Sequence, residues 1–286
     1  MRALAQAACA AFLGAVACAL QGCGEPGPAP SPSPAPSGDG GETGAPAGRF
    51  ENWILGLMWQ PACSLPDCGS DKRVLKHLSS SSYAAEHLSL HGLWPEYDPS
   101  LHHNLSWPQF CKGPVGSFEK CEASERDPLC RPPRDALAKY NTTADWQTFA
   151  LGYAWGGLST HEWSKHGSCT GWNASYYFEV EISTYKRALK LPGPLFIESK
   201  VGKKVSQKQL LAAFGGTATF GCHRCMLTDI FLAFAADNAT LLPLGVANST
   251  DPDLLGSCAV CSHIEVLAWK GCPTPPPQTE PRGLVV

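Results

Sequence analysis

His161-Glu162-Trp163-Ser164-Lys165-His166-Gly167-Ser168-Cys169 gathers two imidazoles, a carboxylate and an ammonium into one short stretch. Read as a helix, it makes His161 and Lys165 one i,i+4 pair and Glu162 and His166 another. The four ionisable side chains then fall on a stripe about 140° wide, while Trp163 points away toward a core. The H-E-x-x-H zinc helix looks superficially similar, but its histidines are four apart and converge on one metal; here His166 stands above Glu162 instead. That spacing favours proton transfer and anion binding over chelation.

A second stretch supplies what the first lacks. In Leu88-Ser89-Leu90-His91-Gly92-Leu93-Trp94-Pro95, alternation puts Leu88 and Leu90 on one face of a strand and Ser89 and His91 on the other. Gly92 and Pro95 are expected to end that strand, leaving His91 pointing from the sheet edge into a cleft. Together, H-G-L-W-P followed later by H-E-W-x-K-H-G-x-C resembles the two active-site segments of the ribonuclease T2 family, secreted acid endoribonucleases of the S and Rh types. Leu57-Met58-Trp59-Gln60-Pro61-Ala62-Cys63 is similar to the family's first strand with its W-P-P-x-x-C ending, and Ser206 to Phe214 to the helix before its C-terminal strands. The resemblance covers roughly residues 50 to 272.

The resemblance implies an α+β fold, an antiparallel sheet packed against helices and stapled by disulfides. It implies His166 as general base and His91 as general acid, with His161, Glu162 and Lys165 holding and stabilising the phosphate; catalytic weight falls on His91, Glu162 and His166. It implies no metal and no cofactor, a single-stranded RNA substrate, and bridges Cys63–Cys68 and Cys111–Cys169, with Cys121–Cys130 as an extra loop of this chain. One residue type, histidine, fits the chemistry independently. RNA cleavage without metal needs one group to take the 2′-hydroxyl proton and one to protonate the departing 5′-oxygen, and two imidazoles of opposite protonation state do both near mildly acidic pH. The plain alternative for these residues is a surface helix with ordinary ion pairs and a strand-end core histidine. Trp94 is either a core aromatic or a wall on which a base stacks. Glu96 or Tyr97 adds a base contact or is simply solvated in a loop. His102 and His103 read as exposed loop residues, and His77, His87, His223 and His263 have no motif around them.

The chain departs from the family pattern in three places. Leu158 and Ser159 stand where many members have an F-W pair, Met58 stands where plant members often carry a base-contacting Gln, and no cysteine lies near Ala233. Base preference is therefore not carried over, and the C-terminal bridges are rearranged.

With 286 residues, 44% hydrophobic and 16% charged, the chain can bury one sizeable core, read here as one domain. A net charge of −3 argues against a broad cationic surface, so RNA binding is local to a cleft and stable DNA binding is not expected. Met1, Arg2 and the apolar run to Leu20 read as a secretory signal over 1–23, too short for a membrane span. Leu20-Gln21-Gly22-Cys23 also resembles a lipoprotein cleavage box. Residues 24–49, almost all Gly, Pro, Ala and Ser, read as a flexible linker, residues 50–272 as the catalytic domain, and 273–286 as a Pro-rich tail. Five sequons, at Asn104, Asn141, Asn173, Asn238 and Asn248, favour glycosylation on a secretory route to the exterior or to an acidic lysosome or vacuole. A monomer is expected.

Of the 14 cysteines, Cys9, Cys18 and Cys23 lie in or beside the signal, and the odd number left suggests one free thiol, with Cys272 the candidate. Cys222-His223-Arg224-Cys225 and Cys258-Ala259-Val260-Cys261 would suggest zinc in a cytosolic chain. In an oxidising compartment they suggest two disulfides between the pairs, Cys222–Cys258 and Cys225–Cys261.

Between these points, Trp53, Leu55, Leu57 and Trp59 alternate as a first strand, and residues 96–135 read as a long loop region held by disulfides. Asp145 to Trp155 and Ala174 to Leu189 carry helical periodicity, Ser206 and Gln209 make a capping box, and Met226–Ala235 and His263–Trp269 read as strands. The composite is a secreted endoribonuclease acting by transphosphorylation through 2′,3′-cyclic phosphate ends. Its alternatives are a ribonuclease-like recognition or effector module with cleavage secondary and, more distantly, a zinc hydrolase.

Overall fold

Strand formation follows the alternation of apolar residues, and the strands are β1 (Gly41–Thr43), β2 (Asn52–Met58), β3 (Ser89–Glu96), β4 (Trp107–Gln109), β5 (Lys112–Gly113), β6 (Gly116–Ser117), β7 (Lys203–Val205), β8 (Ala218–His223), β9 (Met226–Ala236), β10 (Pro243–Val246) and β11 (Ile264–Val266). They come from a computed structural model that describes residues 41–63, 71–102, 105–141 and 143–271. The signal and lipobox residues, the Cys63–Cys68 bridge, His103, the Asn104 and Asn141 side chains, Cys272 and the tail lie outside the described residues.

A seven-stranded sheet runs β3-β2-β9-β11-β7, with β8 and β10 also paired to the long β9. Its pairings are antiparallel except for one parallel contact between β11 and β9. On β2, Trp53, Leu55 and Leu57 are fully buried on the main core face with Trp59 following, whereas Ile54 faces the other side with Phe231 and Ala233. The Ala174–Ala188 helix, capped by Asn173 Oδ1 on the Tyr176 N–H, covers the core face. Its Tyr177 and Tyr185 hydroxyls donate to the Leu93 and Leu88 carbonyls at 2.9 and 2.6 Å, pinning the helix to β3 and to the residue just before it. The Ser206/Gln209 capping box forms, and Gly215 ends that helix in the left-handed region at φ 59°.

Several sequence expectations are corrected. The helix expected over 145–155 breaks at Ala150 into Ala144–Phe149 and Leu151–Trp155. The break lets Trp146 and Tyr153 both meet Phe178 while Leu151 joins a separate cluster with Val74 and Ala84. The strand expected over 263–269 is only Ile264–Val266. The 96–135 region holds a small β5/β6 hairpin, the Glu119–Ala123 helix and the start of the Arg134–Asn141 helix. Residues 41–49 are not linker: β1 pairs in parallel with β4, Ala45 is buried against Cys111 and Cys169, and the Gly48 N–H donates to the Cys169 carbonyl at 2.8 Å. Backbone pairing of this kind needs few apolar side chains, which is why composition alone misleads there.

Among the described residues four disulfides join Cys111 to Cys169, Cys121 to Cys130, Cys222 to Cys258 and Cys225 to Cys261. Asn173, Asn238 and Asn248 are exposed. No helix among the described residues is long and apolar enough to cross a membrane.

Candidate active site

Strand β3 does not end at Gly92. It continues to Glu96 through a β-bulge, because Gly56 of β2 pairs with Gly92 while Leu57 pairs with Leu90, leaving His91 as the extra residue. Leu90 and Leu93, three apart, therefore both face the core, which a regular strand of period two forbids. His91 keeps the face opposite Leu90, and the bulge brings Trp94, three residues on, to that same face, where the two rings meet edge-on at 5.2 Å. Pro95 is tolerated because β3 lies at the sheet edge. Gly92 is required beneath the site: a Cβ there would overlap Glu162 Oε2 and Trp94 Nε1.

The second segment is not a uniform α-helix either. Leu158–His161 is α-helical, Glu162–His166 is a π turn in which the Gly167 N–H reaches back to the Glu162 carbonyl, and Gly167–Thr170 tightens to 3₁₀. The wider turn rotates His161 and His166 toward a common face, with ring centroids 6.1 Å apart, and keeps Trp163 in the core against Phe118 and Tyr177. Gly167 lets the chain pass Tyr177, since a Cβ there would lie 2.9 Å from its ring. The Cys111–Cys169 bridge, the Ser168 hydroxyl accepting from the Cys111 N–H, and the Phe110 N–H donating to the Lys165 carbonyl fasten this turn to the loop after β4.

The two segments meet at Trp94. Its indole N–H donates to Glu162 Oε2, and its ring lies 5.3 Å from His166 and 5.7 Å from Phe231. His91, Glu162 and His166 are buried, while His161 and Lys165 stay partly exposed toward solvent. The environment drives the buried imidazoles apart. For His91, burial disfavours the cation, but Asp229, whose Oδ1 lies 3.6 Å from Nδ1, together with Glu162 outweighs it and raises the pKa. For His166, burial and then the charges of Lys165, His161 and His91 all push the same way, well below the ordinary value. Burial raises the Glu162 carboxyl, against the pull of His161, His91, the Trp94 N–H and Lys165.

His91, Trp94, His161, Glu162, Lys165 and His166 are thus brought into one site. Glu96 and Tyr97 are not solvated: both are buried, Tyr97 in the main core with its hydroxyl donating to Glu42, and Glu96 pushed up to about 8 chiefly by burial. His102 is not a free loop residue, because it stacks on Tyr97 and bonds Glu51 at 3.1 Å. Two neighbours were not legible in the sequence. Asp229 sits beside a second bulge, where Thr228 is the extra residue of β9, and Glu125 bonds His161 from a distant loop. The C-x-x-C cysteines are all in disulfides, and among the described residues no group of three or more His, Cys, Asp or Glu is arranged to hold a metal ion.

The sequence profile of the ribonuclease T2 family matches residues 50–242. Ribonuclease I of Escherichia coli (strain K12) is 27% identical over 179 residues, which are 58% of this chain and span 65% of that relative. Among solved structures, trichomaglin, described as a novel S-like ribonuclease, aligns with 79% of this chain and 100% of its own at 16% identity and TM-score 0.48. An RNase-related protein from Calystegia sepium aligns with 76% and 97% at 16% identity and TM-score 0.46. The profile covers more than half of the chain and both segments that meet at Trp94, so the chain belongs to the ribonuclease T2 family.

Proposed function

We propose that this chain is an endoribonuclease that cleaves single-stranded RNA by transphosphorylation, with a histidine pair as acid and base and no metal ion or cofactor. Neutral His166 takes the proton of the 2′-hydroxyl as that oxygen attacks phosphorus, and protonated His91 gives a proton to the departing 5′-oxygen. The products are a 2′,3′-cyclic phosphate and a 5′-hydroxyl. His161 and Lys165 hold the phosphate, Glu162, which accepts from the Trp94 N–H, helps to stabilise it, and Trp94 offers a stacking wall for a base. The observation that carries this reading is the placement of two buried histidines on either side of one indole, at 5.2 and 5.3 Å, with the Asp229 carboxylate beside His91 favouring its cation and burial with the neighbouring cations favouring neutral His166. Such a pair holds the required protonation states as its main form rather than as a minority.

The disulfides and exposed sequons support a secretory route, to the exterior or to an acidic compartment, and the chain acts as a monomer in this reading. The test is incubation of the purified protein with single-stranded RNA in EDTA, followed by end-group analysis. Cyclic phosphate and 5′-hydroxyl ends are expected. Ends of another kind, or a rate lost to EDTA and restored by zinc, would overturn the mechanism.

A further inference from the structure

Glu125 lies in the turn between the Glu119–Ala123 helix and the Pro128–Cys130 3₁₀ turn, and its Oε1 is 2.6 Å from His161 Nδ1. The turn keeps its shape without help from His161. Cys121–Cys130 closes it, Lys120 pairs with Asp127 at 2.8 Å across it, and Asp127 Oδ1 caps the Leu129 N–H at 2.9 Å. Its base is seated on the segment it serves, with Phe118 packed edge-on against Trp163 at 5.8 Å. A carboxylate only accepts hydrogen bonds, so the His161 ring must present Nδ1–H to it, and Nε2 is the one ring nitrogen left for a substrate.

We propose that Glu125, carried on the Cys121–Cys130 loop, is a positioning residue that fixes the orientation of the His161 ring so that Nε2 faces the phosphate. This rests on the reading of His161 as a phosphate-holding residue. Charge and orientation pull in opposite directions here, which makes the sign informative. An anionic group near a phosphate repels it, so deleting Glu125 would tighten phosphate binding if charge were the main effect. Deletion loosens binding if ring orientation is the main effect, because an unheld imidazole must be ordered by the substrate.

The test uses the full-length protein and two readouts, steady-state kinetics on RNA and the inhibition constant of inorganic phosphate. Glu125→Ala should raise KM and the phosphate constant about 3- to 10-fold, the range of one lost hydrogen bond, with kcat within about twofold of wild type. Glu125→Gln keeps an acceptor oxygen and should restore both constants to within about twofold. On a His161→Ala background the effect of Glu125→Ala should vanish. Tighter phosphate binding in Glu125→Ala, equal losses in the Ala and Gln variants, or an effect that persists without His161 would overturn the proposal. If His161→Ala weakens phosphate binding and Glu125→Ala does not, only the role of Glu125 falls. If His161→Ala changes neither constant, the phosphate-holding role of His161 falls and this inference with it.

Discussion

Trp94 donates its indole N–H to Glu162 Oε2, and this one bond ties the bulged edge strand to the π turn. Gly92 lies directly under it, and Gly56, its partner on β2, leaves room for the same indole, since a Cβ there would lie 2.8 Å from Trp94 Cη2. Two glycines paired across the strands thus make the space in which a large aromatic can lie flat over the sheet between two histidines.

Gly92→Ala should therefore disturb the site rather than merely the strand. The added methyl must displace both partners of the Trp94–Glu162 bond, an overpacking cost of about 1–3 kcal/mol. Activity should fall by about tenfold or more because the imidazoles on either side of the indole lose their relative placement. Urea denaturation and initial rates on RNA measure the two effects, and a variant with wild-type rate would contradict this account of Gly92.

The pH–rate profile should be a bell wider than two ordinary imidazoles would give. His166, lowered, sets the acid limb below the usual imidazole range, and His91, raised, sets the basic limb above it. Asp229 is one source of the upward shift, so Asp229→Asn should lower the His91 pKa and move the basic limb toward acid while leaving the acid limb in place. A profile in which the acid limb moves instead would reverse the two assignments.

Much of this site was legible in the sequence, and what was not has identifiable causes. The ionisable residues of 161–166 declare themselves by type and spacing, but the π turn does not, because it depends on how Trp163 is held against Phe118 and Tyr177. The bulge left a trace that plain alternation overrode: Leu88 and Leu90 are two apart, whereas Leu93 is three beyond Leu90. Asp229 and Glu125 reach the site through pairings between distant segments, which no local pattern encodes. The order of residues 41–49 is not visible in their composition because they are held by backbone hydrogen bonds rather than by apolar side chains.

The Cys111–Cys169 bridge closes a loop of sequence separation 58 and fastens the 3₁₀ turn that follows the π turn to the loop after β4. Chain entropy gives it about 4 kcal/mol of stabilisation. Cys111→Ser with Cys169→Ser should lower stability by about that amount in denaturant titration, and activity should fall more steeply with temperature than in the wild type. A loss under about 1 kcal/mol would show that the Cys111 N–H bond to the Ser168 hydroxyl and the Phe110 N–H bond to the Lys165 carbonyl hold the turn unaided.

Stability itself should depend on pH through Glu96. Its side chain is buried, burial being the largest influence, with Asp251 adding to it and a bond from Thr250 opposing, and its pKa is pushed from 4.5 up to about 8. The sign follows from proton binding. Below about pH 4.5 folded and unfolded chains both keep the proton and nothing is lost; above it the unfolded chain releases the proton while the folded chain does not, so stability falls until pH passes about 8. Across that window the loss from this one group is about 1.4 kcal/mol per pH unit. Glu181, fully buried with Tyr153 as its hydroxyl donor, is displaced upward too and adds in the same direction. Glu96→Gln should remove its share, so the variant gains on the wild type steadily between pH 5 and 8 in denaturant titrations, levelling off outside that range. A wild-type-minus-variant difference that stays flat across the window would mean that Glu96 ionises normally in the folded protein.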